Sequence, residues 1–313
     1  MYDIRTVTGP LSPAAVRGPA LAHEHLALDL RRDADRAAVL GAAHADAVTR
    51  ELAVLREEYG LALVVELTCR GMGRDVAALA RIAKDSGVPV VAATGWYYEP
   101  FHPSEVDGAD VEELTGTLVR EITEGIGPER VLPGVIGEVG SHGDRPSVPE
   151  VRTLTAAARA AVATGLSVAT HAQLGRGGPA QLALLTAEGL PAHRICVGHQ
   201  DLLDDPAVHR ELAERGAYVA FDTVGKESYQ SDTTRLRLLL ALLEAGHADR
   251  ALLSCDVSRH GYLRGEGGQG YGHLFRSFLP RLRAAGVDDD TVDLLTRRNP
   301  LRFLTGARTE EVT

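Results

Sequence analysis

Short apolar runs rich in Val, Ile, Leu and Ala recur along the chain, and each is followed by a segment whose apolar residues return every three or four positions. Runs at 20–26, 61–68, 88–94, 132–139, 166–171, 194–199, 217–222 and 251–256 are predicted strands. Segments 45–59, 75–85, 111–124, 150–164, 206–215, 233–245 and 271–285 are predicted helices. A strand that is apolar throughout is covered on both faces, the condition of a parallel sheet wrapped by helices. Repeated strand–helix units of this kind fit a closed barrel better than an open doubly wound sheet. The expected fold is therefore α/β, a single (β/α)8 TIM barrel, with residues 1–313 as one domain.

Polar residues break the pattern at the C-terminal ends of those strands: His23-Glu24-His25 in the first, Glu138 in the fourth, His171 in the fifth, His199 in the sixth and Asp256 in the eighth. In a parallel barrel these ends share one face, where barrel enzymes assemble their sites. Alternation along a strand sends His23 and His25 to one side and Glu24 to the other. Two imidazoles so placed can share a metal ion, although a lone His-x-His is as often an ordinary polar strand end. The six candidate ligands His23, His25, Glu138, His171, His199 and Asp256 are too many for one tetrahedral zinc. They suit two cations about 3.5–4 Å apart, bridged by a carboxylate.

Composition narrows the function. A formal net charge of −10 over 313 residues argues against nucleic acid as a partner, yet a locally positive pocket can still take a small anion. The N-terminal stretch has no signal-peptide pattern and no run approaches about 18 apolar residues, so a cytoplasmic protein without membrane attachment is expected. Cys69, Cys196 and Cys255 are far apart and lack a CxxC spacing, which speaks against a disulfide framework or a thiolate zinc site. Of the 33 basic residues all but Lys84 and Lys226 are arginine. A GxGxxG match at 265–270 lies well beyond the last strand instead of opening a helix from it, so it reads as a glycine-rich lid and not as a dinucleotide loop.

Taken in order, LAHEHL, GVIGEVG, VATHAQ, VGHQD, FDTVGK, SCDVSR and RNPLRFL resemble the phosphotriesterase-related family of the amidohydrolase superfamily, from about residue 8 to residue 305. The resemblance implies two divalent metals, zinc in most such proteins, with manganese or cobalt as alternatives. It implies His23, His25 and Asp256 on the buried metal, His171 and His199 on the more exposed one, and a bridging residue from strand four. The family's best-known members bridge with a carboxylated lysine. Strand four here has none, so Glu138 is the implied bridge, as in a glutamate-bearing branch. The implied reaction is hydrolysis by a metal-bridging hydroxide, with Asp256 accepting its proton and passing it on. Tyr97 matches a family tyrosine that touches the substrate carbonyl or leaving oxygen; a packed loop tyrosine is the plain alternative. The resemblance also implies a homodimer.

Substrate contacts are expected from the loops after the strands. Lys226, Arg259 and Tyr262 form a candidate anion clamp: a point charge, a planar fork and a hydroxyl donor. They are similar to the phosphate-contacting set of a branch that opens lactones of phosphorylated sugars. Alternatively, Lys226 and Arg259 are solvated or pair with Asp222 and Glu227. The expected activity is that of a lactonase or carboxylic-ester hydrolase acting on a small anionic lactone, including phosphorylated-sugar lactones. Cleavage of an N-acyl group from an anionic amine is the alternative. Phosphotriester hydrolysis fits less well, because a cationic clamp suits a bulky neutral substrate poorly. His44, His193, His209 and His247 are expected on the protein surface.

Overall fold

In a computed structural model, which describes residues 3–307, the strand–helix alternation closes into a (β/α)8 barrel. Its strands are β1 (Ala20–Glu24), β2 (Leu63–Glu66), β3 (in two pieces, Val90–Val91 and Ala93–Thr94), β4 (Val135–Ser141), β5 (Val168–Ala172), β6 (Ile195–Val197), β7 (Tyr218–Phe221) and β8 (Ala251–Leu253). Neighbours from β1 to β8 pair in parallel. The outer helices are α1 (Ala45–Tyr59), α2 (Val76–Ser86), α3 (Val111–Glu124), α4 (Val148–Thr164), α5 (Gly178–Ala187), α6 (Pro206–Glu214) and α7 (Asp232–Glu244), followed by α8 (Leu279–Ala284), α9 (Asp289–Asp293) and α10 (Asn299–Thr305). Helix α5 escapes the periodicity reading because its apolar residues run around it without forming a stripe. Among the described residues no helix is long and apolar enough to cross a membrane.

Side chains alternate across the barrel wall. Ala20 and Ala22, Leu63 and Val65, and Tyr218 and Ala220 fill the interior, whereas Leu21, Val64 and Val219 pack outward against the helices. Helix α10 seals the N-terminal end. Leu301 and Phe303 join the interior cluster, and Phe303 lies edge-on to Tyr218 at 5.6 Å. Asn299 Nδ2 donates to the carbonyls of Ala248 and Ala251 at 2.8 Å each. The RNPLRFL motif is thus a plug, and the cavity opens at the opposite end.

Unbroken alternation would not deliver the first histidines to that mouth. With Ala20 and Ala22 inside, His23 should face the helices. The ladder shows why it does not: Leu21 pairs with Val64 but Glu24 with Glu66, so β1 carries an extra residue between those points. Strand β4 repeats the device, with Ile136 opposite Val168 but Val139 opposite Thr170. A bulge inverts the phase of alternation beyond it, and His23, His25 and Glu138 turn inward together. Gly137 permits the β4 bulge, since a Cβ there would lie 2.5 Å from the Ala169 carbonyl oxygen.

The seam between β8 and β1 is closed largely by a side chain. Glu24, turned away from the mouth, accepts from Ser254 Oγ at 2.7 Å and from the backbone N–H groups of Cys255 and Val257 at 2.8 Å. The Asp256 N–H donates to the His23 carbonyl at 3.3 Å. Burial pushes the Glu24 carboxyl up to about 7 despite those donors. Glu24→Gln puts an amino group where one of these donors needs an acceptor. It is expected to lower the unfolding free energy by about 1–3 kcal/mol, measured by urea denaturation; a wild-type midpoint would show that the seam does not depend on this carboxylate.

Candidate metal centre

The open mouth gathers His23, His25, Glu138, His171, His199 and Asp256, with Glu138 at the centre. Glu138 Oε1 is 3.3 Å from His25 Nε2. Its Oε2 is 3.1 Å from His171 Nδ1 and 3.5 Å from the Nε2 atoms of His23 and His199. Asp256 Oδ1 is 3.2 Å from His25 Nε2 and 4.0 Å from His23 Nε2. Among the described residues three groups of donor atoms come together: His23, His25 and Glu138; Glu138, His171 and His199; and His23, His199 and Asp222, the last joined through the Nδ1 atoms. The first two face the mouth. Glu138 belongs to both, as a bridging residue must.

Strands β6 and β8 stop short of the predicted ends at 199 and 256. His199 and Asp256 lie just beyond, on left-handed backbone with φ of 55° and 47°. Such conformations cost a non-glycine residue on the order of 1–3 kcal/mol and persist where the surroundings enforce them. For His199 the enforcing group is Asp222, which accepts its backbone N–H at 2.9 Å and its Nδ1–H at 3.0 Å. The other oxygen of Asp222 accepts from His23 Nδ1 at 2.7 Å, so one carboxylate orients an imidazole from each cluster. Thr68 Oγ1 meets His25 Nδ1 at 2.9 Å and itself donates to Glu66. The Gln173 side-chain oxygen Oε1 lies 2.7 Å from His171 Nε2. In the sequence Asp222 stands out only as an ion-pair partner for a loop cation. Its place at the end of β7, equivalent to that of the other donors, was the signal for its role.

Burial opposes charge on every group here, and the carboxylates overcome it for three imidazoles. His25 reaches about 9 through Asp256 and Glu138, His199 about 10 through Asp222, and His23 is also pushed well up through Glu138 and Asp222. His171 is instead lowered by burial, in spite of Glu138. Glu138, Asp222 and Asp256 are buried yet held below the ordinary carboxylate range, the first two by their histidines and Asp256 foremost by Lys226. The cavity therefore favours positive charge. His23 Nε2 is buried with no hydrogen-bond partner. Imidazole and carboxylate donors, with Nδ1 of His23, His25 and His199 fixed by outer groups, match the chemistry of zinc and related divalent ions. Such ions would displace the protons that the imidazoles otherwise retain.

A cavity of about 240 Å³ lies above the cluster. Tyr97 meets His171 edge-on at 4.6 Å, and Tyr98, which the sequence did not mark, stacks parallel on it at 5.0 Å. Burial, with Glu138 nearby, pushes the Tyr97 hydroxyl well up, which keeps it a hydrogen-bond donor. Lys226 and Arg259 lie 5.2 and 5.3 Å from the Tyr262 ring centre, so the candidate clamp residues do converge. Both charges are paired, however, although Arg259 Nε is buried without a hydrogen-bond partner. Lys226 Nζ bonds Asp256 Oδ2 and, at 3.1 Å, Ser258 Oγ, while Arg259 pairs with Asp35 at 2.8 Å. Fully buried Arg235 fixes the Lys226 loop by donating to the Lys226 carbonyl at 3.1 Å and to Thr223 Oγ1 at 3.0 Å. His209, expected on the surface, is buried, with Nε2 bonded to the Gln200 carbonyl at 2.8 Å. It props the loop behind His199; no sequence pattern separates such a histidine from a solvated one.

The model of the Phosphotriesterase family matches residues 2–304. The chain belongs to this family of metal-dependent hydrolases. The phosphotriesterase homology protein of Escherichia coli K12 is 36% identical over 293 residues, covering 91% of this chain and 97% of the relative. Its crystal structure, complexed with phosphate in the active site, superposes with a TM-score of 0.89 over 92% of this chain and 99% of that one. Human N-acetyltaurine hydrolase is 30% identical over 83% of this chain and 77% of its own length. A lactonase from Listeria monocytogenes, 23% identical, shares the fold with a TM-score of 0.90 over 98% of this chain and 100% of that one. The family is one of binuclear metal enzymes, and the shared carboxylate between two histidine clusters fits that centre.

Asp222→Asn turns one of the two acceptor oxygens that hold His23 and His199 into an NH2 donor, so one of the two imidazoles loses the partner that fixes its tautomer. Zinc affinity is expected to fall about 10- to 100-fold, read by competition with a chromophoric chelator. Wild-type affinity would mean that the two imidazoles are oriented without Asp222.

Proposed function

We propose that this cavity hydrolyses the acyl bond of a small anionic lactone or carboxylic ester. Zinc is the preferred metal, with manganese or cobalt as alternatives, and His23, His25, Glu138, His171, His199 and Asp256 are the residues that would hold two such ions. The observation that carries the reading is the carboxylate of Glu138 shared between two histidine clusters on the floor of a small cavity whose wall bears Arg32, Lys226 and Arg259. Bound divalent ions supply Lewis-acid polarisation of a carbonyl and a water acidic enough to act as nucleophile near neutral pH.

The chain's own groups complete the reaction. Asp256 lines the cavity with its charge secured by Lys226; it takes the proton released by the attacking water and returns it to the departing oxygen. Lys226 keeps that carboxylate oriented. Tyr97, protonated and against His171, donates to the carbonyl or the leaving oxygen. Arg259 and Tyr262 flank the entrance, where they face the rest of the substrate. The phosphate in the active site of the Escherichia coli relative supports an anion-accepting cavity.

A second reading is favoured by one observation: relatives 27–30% identical are N-acetyltaurine hydrolases. Removal of an acyl group from an anionic amine needs the same floor and the same positive wall. Only the leaving atom differs, a nitrogen that must be protonated before it departs.

Dialysis against a strong chelator is expected to abolish hydrolysis, and zinc, manganese or cobalt to restore it; turnover that survives complete removal of metal would defeat the reading. On the reloaded enzyme, kcat/KM should be highest for sugar-phosphate lactones and anionic esters. N-acyl amino or sulfonic acids outranking them would establish the second reading instead.

A further inference from the structure

The three cations on the cavity wall are not in equivalent states. Lys226 is buried and bonded to Asp256. Arg259 is paired with Asp35. Each of these charges is already matched by a carboxylate. Arg32, which is exposed to solvent where it lines the same cavity, has no such partner: among the described residues its side chain meets no carboxylate and donates no hydrogen bond.

Arg32 is nevertheless held in place. It sits on the excursion between β1 and α1, in a tight turn closed by backbone bonds between Arg32 and Asp35 of 3.1 and 3.0 Å. The antiparallel pair Leu28–Asp29 with Val39–Leu40 carries that turn. The guanidinium lies over the Phe101 ring at 3.9 Å. Phe101 packs on Tyr98 at 5.2 Å, and Tyr98 stacks on His171. An aromatic chain thus leads from the metal cluster to Arg32. A guanidinium held over a ring and not against a carboxylate keeps its N–H groups available and has lost part of its freedom in advance.

We infer that Arg32 is the specificity-determining residue of the cavity, gripping the anionic group of the substrate through its free fork, an assignment that rests on the acyl-hydrolase reading above. Lys226 keeps Asp256 and Ser258 as its partners. Recruiting Arg259 would leave the Asp35 carboxylate beside the incoming anion. Arg32 can bind without that cost. Carboxylate, sulfonate and phosphate all match a planar fork, so the ligand is a small acyl compound ending in one of these groups.

The test compares Arg32→Met and Arg259→Met with the wild type, using esters that share one acyl centre and differ only in a carboxylate, sulfonate, phosphate or neutral amide at the far end. Calorimetric binding of inorganic phosphate and of the product anions accompanies the kinetics. Arg32→Met is expected to cut the preference for the anionic over the neutral ester at least tenfold, mainly through KM, with Arg32→Lys recovering part of it. The anion with the largest loss identifies the substrate class. A preference as strong in Arg32→Met as in the wild type, or a loss confined to Arg259→Met, overturns the assignment. If the wild type cleaves none of the esters but its anion binding vanishes in Arg32→Met, Arg32 stands as the anion-binding residue and the acyl-hydrolase reading falls.

Discussion

One carboxylate buried among four imidazoles governs this molecule. Glu138 is almost wholly removed from solvent, and an isolated charge in such a place is penalised by several kcal/mol. It is tolerable only because positive charge shares the cavity, as protons on the surrounding histidines or as divalent ions. The neighbouring devices follow from that need. Asp222 aligns one imidazole on each side, Lys226 balances Asp256, and strained backbone at His199 and Asp256 sets two donors at the required angle.

Much of this was legible in the order of apolar and polar residues. Eight apolar runs marked the barrel, and the polar residues ending five of them marked the mouth. Helices α1 and α3 lie where the periodicity placed them. What stayed hidden was phase. A uniform alternation beginning at Ala20 and Ala22 sends His23 outward, and the inward turn depends on a bulge that only the ladder to β2 reveals. Pairings of charge were hidden for a related reason. Lys226 and Arg259 stand out by composition and position, but their partners, Asp256 and Asp35, lie 30 and 224 positions away. Arg32 is one arginine among many, and only the ring beneath it and the lack of a carboxylate beside it set it apart.

The entrance also separates two jobs that a cationic patch would otherwise confuse. A buried ammonium against Asp256 secures the charge of that carboxylate. A guanidinium on an aromatic ring, free of internal partners, is suited to recognition. The same positive sign does different work according to what already neutralises it.

The plug formed by α10 has a practical side. Because Leu301 and Phe303 close the barrel at the end away from the cavity, an affinity handle or a tether to a bead attached on that end would leave the mouth turned toward solution, so the protein can be immobilised in a fixed orientation without obstructing diffusion into the cavity.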